Sequence, residues 1–186
     1  FDGFKITHIT DIHSGSFDDP EEIEYAINLL NQQETDIILF TGDIVNTKAN
    51  EMDPWIGTFK KMKVPQFGKY SVLGNHDYGE YVEWPSDNEK ENNFNAIKEI
   101  HEKIGFKLLL NENVFLEKGN EKVALVGVEN WGHNFKKAGD LTKASASTSK
   151  NDFKILLSHD PSHWEYEVKA HEHNYQLTLS GHTHGL

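Results

Sequence analysis

The sequence predicts an α/β fold, and three observations carry that expectation. Short apolar runs of strand length alternate with longer segments whose apolar residues recur at helical spacing. No apolar run approaches the roughly 20 residues of a membrane-spanning helix. Five of the strand-like runs end on carboxylate, amide or imidazole side chains, and ligands of open α/β sheets bind beyond the carboxyl ends of the strands.

The elements follow in order. Residues 4–10 (FKITHIT) read as a strand. Asp19, Pro20 and Glu22 then mark a helix start, with Asp19 as N-cap, Pro20 at the first helical position and Glu22 in a capping-box-like place. Ile23, Ala26, Ile27 and Leu30 continue that helix on one face. Residues 36–41 (DIILFT) form a continuous apolar run and are expected to be a buried strand. A second helix is expected near 55–62, entered through Pro54, and a third strand at 69–73 (KYSVL). Phe94, Ile97, Ile100 and Ile104 predict a helix over 93–104. Residues 114–117 and 122–128 flank Gly119-Asn120 and read as a hairpin. Strands are expected at 153–157 (FKILL) and 175–179 (YQLTL), with a helix beginning near Pro161 between them. Residues 78–92 and the low-complexity stretch 143–152 (KASASTSKND) read as loops, the second as a mobile one.

With 186 residues, 37% hydrophobic and 11% aromatic, the protein is expected to be one globular domain, 1–186. Phe1 is not an initiator methionine, so a trimmed sequence is expected, with room upstream for a targeting or membrane-anchoring segment. The absence of cysteine removes disulfides, thiolate ligands and cysteine nucleophiles together. The formal net charge is −12, and all 18 basic residues are lysine. That balance disfavours an extended nucleic-acid face. It also leaves no guanidinium to clamp a phosphate.

The polar strand ends are Asp11-x-His13, Gly42-Asp43, Gly74-Asn75-His76-Asp77, His159-Asp160 and Gly181-His182-x-His184. Taken singly, each has an ordinary reading. Asp11 or Asp43 could cap a turn, Gly74-Asn75 is a turn dipeptide, and His159 could sit at a helix entry. Taken together, five matched strand ends point to one site. Aspartate oxygen mixed with imidazole nitrogen suits manganese, iron or zinc and is unlike an all-oxygen calcium cage. Two divalent cations among two aspartates and neutral imidazoles would leave an excess of about two positive charges, which attracts an anion and a hydroxide. Metal ions would then replace the missing arginine. Of the other histidines, His8 is expected to be structural and His171-x-His173 to lie on a solvated face, while His101, His133 and His163 have no evident cluster partner. Tyr78, Tyr81, Trp84 and Trp131 are candidates for the walls of a substrate pocket or for ordinary packing.

In order and rough spacing these five motifs resemble those of the calcineurin-like metallophosphoesterases, over essentially the whole sequence. GNHDYG, with a tryptophan shortly after, is most similar to a bacterial branch often tethered to membranes. The resemblance implies a four-layer α/β/β/α sandwich. It implies that Asp11, His13 and His184 bind one divalent metal ion, that Asn75, His159 and His182 bind a second, and that Asp43 bridges them. His76 would face the phosphate and protonate the leaving oxygen, with Asp77 orienting it. A metal-bridging hydroxide would attack phosphorus in line, hydrolysing a mono- or diester of a small-molecule or lipid-linked substrate. The resemblance names no protein partner. Membrane contact would come through segments outside this sequence. Two departures stand out. Asn46 replaces an aspartate common in relatives. The family domain is also expected to continue past Leu186, so the domain here would be incomplete at its C-terminus. The alternatives are a non-catalytic metal- or phosphate-binding module and a manganese-dependent nuclease.

Overall fold

Parallel strands and covering helices alternate through the first half of the protein. In the computed structural model, which describes residues 1–184, they run β1 (Ile6–Ile9), α1 (Pro20–Asn31), β2 (Ile37–Phe40), α2 (Ile56–Phe59), β3 (Lys69–Ser71), α3 (Asp87–Lys103) and β4 (Lys107–Leu108). The second half gives β5 (Glu112–Lys118), β6 (Glu121–Gly127), α4 (Leu141–Ala144), β7 (Phe153–Leu157), α5 (Ser162–Tyr166) and β8 (Leu177–Leu179). The first four strands form one parallel sheet in the order β1-β2-β3-β4. The last four form a second sheet in which β5 and β6 are antiparallel and β6, β7 and β8 parallel. The expected truncation at Leu186 lies outside the described residues.

Side-chain alternation explains the layering. Ile37 and Leu39 of β2 pack with Leu125 of β6 and with Ile155 and Leu157 of β7, so these faces of the two sheets meet. Ile38 and Phe40 point the other way, onto Ile27 of α1, Phe59 of α2 and Ile97 and Ile100 of α3. Ala124 and Val126 of β6 and Leu156 of β7 face Leu141 and Ala144 of α4. The result is the expected α/β/β/α sandwich.

The helix ends follow from the sequence. Asp19 accepts the Glu21 N–H at 2.8 Å, so the N-cap holds as expected, with Pro20 as the first helical residue. One helix boundary needs correction. Helix α3 starts at Asp87, not near 93, because Ser86 caps it by accepting the Glu89 N–H at 3.2 Å. Residues 87–92 are therefore helix and not loop. At its other end Gly105 (φ +87°) allows the Gly105 and Phe106 N–H groups to reach back to the Glu102 and His101 carbonyls, at 2.9 and 2.8 Å. The buried Lys69 ammonium donates to the carbonyl of Ile104 at 2.7 Å and so sits at the negative end of the same helix. The segment 143–152 is also more tied down than its composition suggests. Ser145 and Thr148 are buried, and Thr148 Oγ1 donates to the Ser145 carbonyl at 2.9 Å.

His101 faces inward from α3, stacks on Phe40 and bonds Ser71 Oγ through Nδ1 at 2.8 Å. Its Nε2 is buried without a partner. Burial pushes its pKa down to about 3. The folded state therefore keeps this ring neutral where the unfolded polypeptide, with an ordinary value near 6.5, takes up a proton. Stability from this group is full above about pH 6.5 and should fall by roughly 1.4 kcal/mol per pH unit below it. Urea unfolding at pH 7.5 and pH 5.5 should show that loss, and His101→Phe should remove a large part of it. An unchanged pH dependence in the variant would contradict this account.

Candidate metal centre

Strand register sets the site. Leu157 pairs with Leu179 and Ile9 with Phe40, so the loops that follow these strands leave the sandwich side by side. Asp11 N donates to Gly42 O at 3.0 Å and His13 N to Asp43 O at 3.1 Å, binding the first two loops together. Gly181 N donates to His159 O at 2.8 Å and joins the last two. The two pairs then meet across the sandwich. His182 N donates to both Asp11 carboxylate oxygens, at 2.9 and 3.0 Å.

The backbone here is unusual. Asp11, His13, Asp43, His182 and His184 all have φ between +46° and +71°. Among the described residues they make up five of the seven non-glycine residues in the left-handed region. Aspartate and histidine tolerate that region better than most residues, but each such position still costs of order 1 kcal/mol. The turns aim both side chains of an x-separated pair into one cavity. Glycine is needed beside them: a Cβ on Gly74 would collide with the Asp43 carboxylate, and one on Gly181 with Thr10 Oγ1.

Two ligand clusters result. Donor atoms of Asp11, His13 and His184 lie within 4.8 Å of one another, as do those of Asp43, His159 and His182. His13 Nε2 is 3.1 Å from His184 Nε2, and His184 Nε2 is 3.5 Å from Asp11 Oδ1. In the second cluster His159 Nε2 is 3.1 Å from Asp43 Oδ2 and 3.1 Å from Asn75 Oδ1. Asp43 stands between the clusters. Its Oδ1 accepts the His76 N–H at 2.9 Å, while Oδ2 lies 3.6 Å from His13 Nε2 and 3.1 Å from His159 Nε2.

All seven ligand residues named from the sequence thus converge. Their chemistry fits divalent cations. His159 Nδ1 is bonded to the Thr41 carbonyl at 2.7 Å, which makes Nδ1 the proton-bearing nitrogen, so that the neutral ring turns its Nε2 lone pair toward Asn75 Oδ1. Two lone pairs facing each other need a cation or a proton between them. His159 has its pKa raised: burial opposes protonation, but contact with the Asp43 carboxylate outweighs it. Asp43 is lowered correspondingly, its burial offset by His159. Desolvation keeps His13 and His182 below the usual imidazole value, which favours the neutral, ligating form.

His76 joins the same cluster, grouped with His13 and Asp43. Its Nδ1 is held by the carbonyl of Asn46 at 2.6 Å, which directs Nε2 inward. The expected role of Asp77 needs revision. Its buried carboxylate accepts the N–H groups of Asp43, Ile44 and Gly74 at 2.9, 2.9 and 2.8 Å and makes no bond to the His76 ring. Asp77 shapes the turn that carries Asp43, and the Asn46 backbone orients His76. The Asn46 amide donates to Ser16 Oγ at 3.1 Å.

Asp160, named with the polar strand ends but given no role there, has Oδ2 3.8 Å from His182 Nε2. Among the remaining histidines His8 bonds Thr41 Oγ1 at 2.8 Å, a structural role as expected. His171 and His173 are half-buried, not solvated. Their rings pack edge to face, and His173 Nδ1 meets Thr148 Oγ1 at 3.2 Å. Of the four candidate wall aromatics, Tyr78 and Trp131 are core residues, while Tyr81 is half-exposed against His76.

Residues 4–186 match the model of the calcineurin-like phosphoesterases, and the chain belongs to that family. It is 31% identical over 97% of its length to the uncharacterized metallophosphoesterase YkoQ of Bacillus subtilis, of which it covers 61%. It is 29% identical over 98% of its length to phosphodiesterase YaeI of Escherichia coli, again covering 61%. The protein therefore spans about three fifths of these relatives. Among solved structures, NAD nucleotidase of Haemophilus influenzae superposes with a TM-score of 0.61 at 16% identity, over 97% of the present sequence and 38% of that protein, a likeness of fold. Among the described residues no helix is long and apolar enough to cross a membrane.

Proposed function

We propose that this member of the calcineurin-like phosphoesterases is a dinuclear, metal-dependent hydrolase of phosphate mono- or diesters. The observation that carries the reading is the meeting of the two aspartates, His13, His184, His159 and Asn75, with His13 Nε2 3.1 Å from His184 Nε2 and His159 Nε2 3.1 Å from Asn75 Oδ1. Asp11, His13 and His184 would hold one cation, Asn75, His159 and His182 the other, and Asp43 Oδ2 would serve both. Manganese, iron and zinc all suit this donor set. The cations would supply positive charge to the phosphoryl oxygens and a hydroxide at neutral pH. The protein's own part is to place and move protons. Asn46 O holds Nδ1–H of His76, so Nε2 can carry a proton to the leaving oxygen as its bond to phosphorus breaks. The products are the alcohol and a phosphate, or a phosphomonoester from a diester. The relative named a phosphodiesterase favours testing diesters alongside monoesters.

The test is turnover of p-nitrophenyl phosphate and bis-p-nitrophenyl phosphate by the metal-loaded protein and by His76→Ala. The variant should keep its metal and lose about 10²–10⁴-fold in kcat, the usual share of a general acid. A binding module would hold metal with no turnover in either protein. Cleavage of DNA with manganese, in preference to the small esters, would point instead to a nuclease.

A further inference from the structure

Tyr81 touches two residues of the site from a loop that belongs to none of the five motifs. Its hydroxyl accepts a hydrogen bond from Asn75 Nδ2 at 2.6 Å. Its ring lies on the His76 imidazole, with centroids 4.3 Å apart and planes 26° from parallel. The residue is nevertheless 47% exposed, so it borders the cluster at the surface and is not part of the core.

Asn75 explains why the hydroxyl matters. A side-chain amide has one end that can ligate a cation and one that cannot. Asn75 is only 3% exposed and presents Oδ1 toward His159 Nε2 at 3.1 Å. Had it turned over, two N–H donors would point into the cation site and the second ion would lose a ligand. Asn75 Nδ2 donates to the Tyr81 hydroxyl, so the phenol ties the amide in place with Oδ1 turned inward. The same ring limits rotation of His76, whose other restraints are the Asn46 carbonyl on Nδ1 and the edge contact with His13 at 4.8 Å.

We propose that Tyr81 is a positioning residue for both the second metal and the proton donor, its hydroxyl fixing the Asn75 amide and its ring fixing His76. The assignment rests on the dinuclear reading above. It divides Tyr81 into two separable parts. The hydroxyl acts on metal retention, since residues holding a ligand in place are commonly worth about 10–100-fold in metal affinity. The ring acts on turnover, because a donor free to swing spends less time aimed at the leaving oxygen.

Tyr81→Phe and Tyr81→Leu separate the parts. Metal content after dialysis, manganese titration and steady-state kinetics would be measured on both and on the parent. Tyr81→Phe should keep the ring contact and bind the more weakly held ion about tenfold or more less tightly, with kcat recovering at saturating manganese. Tyr81→Leu should show the same loss of affinity and a fall in kcat that saturating manganese does not restore, with KM changed less than kcat. Equal metal affinity in all three proteins, with KM alone raised in Tyr81→Leu, would make Tyr81 a pocket wall and overturn the assignment while leaving the dinuclear site intact. A parent protein that retains no metal would overturn the dinuclear reading, and this assignment with it.

Discussion

Asp43→Asn is expected to lower the metal content from about two ions per molecule to at most one and to reduce kcat/KM by at least about a thousandfold, some 4 kcal/mol of transition-state stabilisation. The substitution is nearly isosteric, and the amide oxygen can still accept the His76 N–H that now bonds Asp43 Oδ1. What changes is Oδ2, which lies 3.6 Å from His13 Nε2 and 3.1 Å from His159 Nε2. Replacing it by NH₂ sets two donors where both cations need a lone pair, and it removes the carboxylate that reaches both clusters. The residue is 1% exposed, so no solvent can take over the role. Elemental analysis and kinetics on the dialysed variant check the result, with circular dichroism to verify the fold. Two retained ions with undiminished turnover would rule out Asp43 as the bridge.

Removing the metals should destabilise the whole sandwich. Each ion bound only by the native state contributes RT ln(1 + [M]/Kd), about 4 kcal/mol when the metal is a thousandfold above its Kd. Its proposed ligands come from both sheets. Asp11, His13, Asp43 and Asn75 follow β1, β2 and β3; His159, His182 and His184 follow β7 and β8. Without cations these loops keep their left-handed turns and crowded imidazoles with less to offset the cost. The urea midpoint should fall on chelation and rise steadily with the logarithm of added manganese. His184→Ala should flatten part of that rise, because its exposed imidazole meets the first cluster and leaves the core untouched. A midpoint indifferent to chelator would mean that the native protein holds no metal of consequence.

Much of this candidate site was legible in the sequence because its residues are placed directly after apolar strands, and a strand run fixes where its loop begins. Asp11, His13, Asp43, Asn75, His159, His182 and His184 needed no tertiary information beyond that. The missed features are of another kind. The carbonyl of Asn46 orients His76, and a carbonyl is the same at every residue. The start of α3 is polar throughout, so apolar spacing shows nothing before Phe94; Ser86-x-x-Glu89 was the readable signal, a capping pattern hidden inside an acidic stretch. Strand β4 has only two residues, too few for any period. The segment 143–152 looks like a linker by composition, but Ser145 and Thr148 meet their hydrogen-bonding needs internally and so can be buried.

The two sheets are drawn from separate halves of the protein, residues 6–108 and 112–179. That division has a consequence for synthesis. The first half carries Asp11, His13, Asp43 and Asn75 at its strand ends and is translated first, but Ile37, Leu39 and Val72 on the inner face of its sheet wait for Leu125, Ile155 and Leu157 of the second. Neither cation cluster is complete at that stage, because His159, His182 and His184 are made later. His184 is 171 residues from the His13 it must meet. Residue order would therefore work as a timer: a growing polypeptide holds Asp11 and His13 of the first proposed ligand set but only Asn75 of the second, with the shared Asp43, and neither set closes until these histidines have emerged.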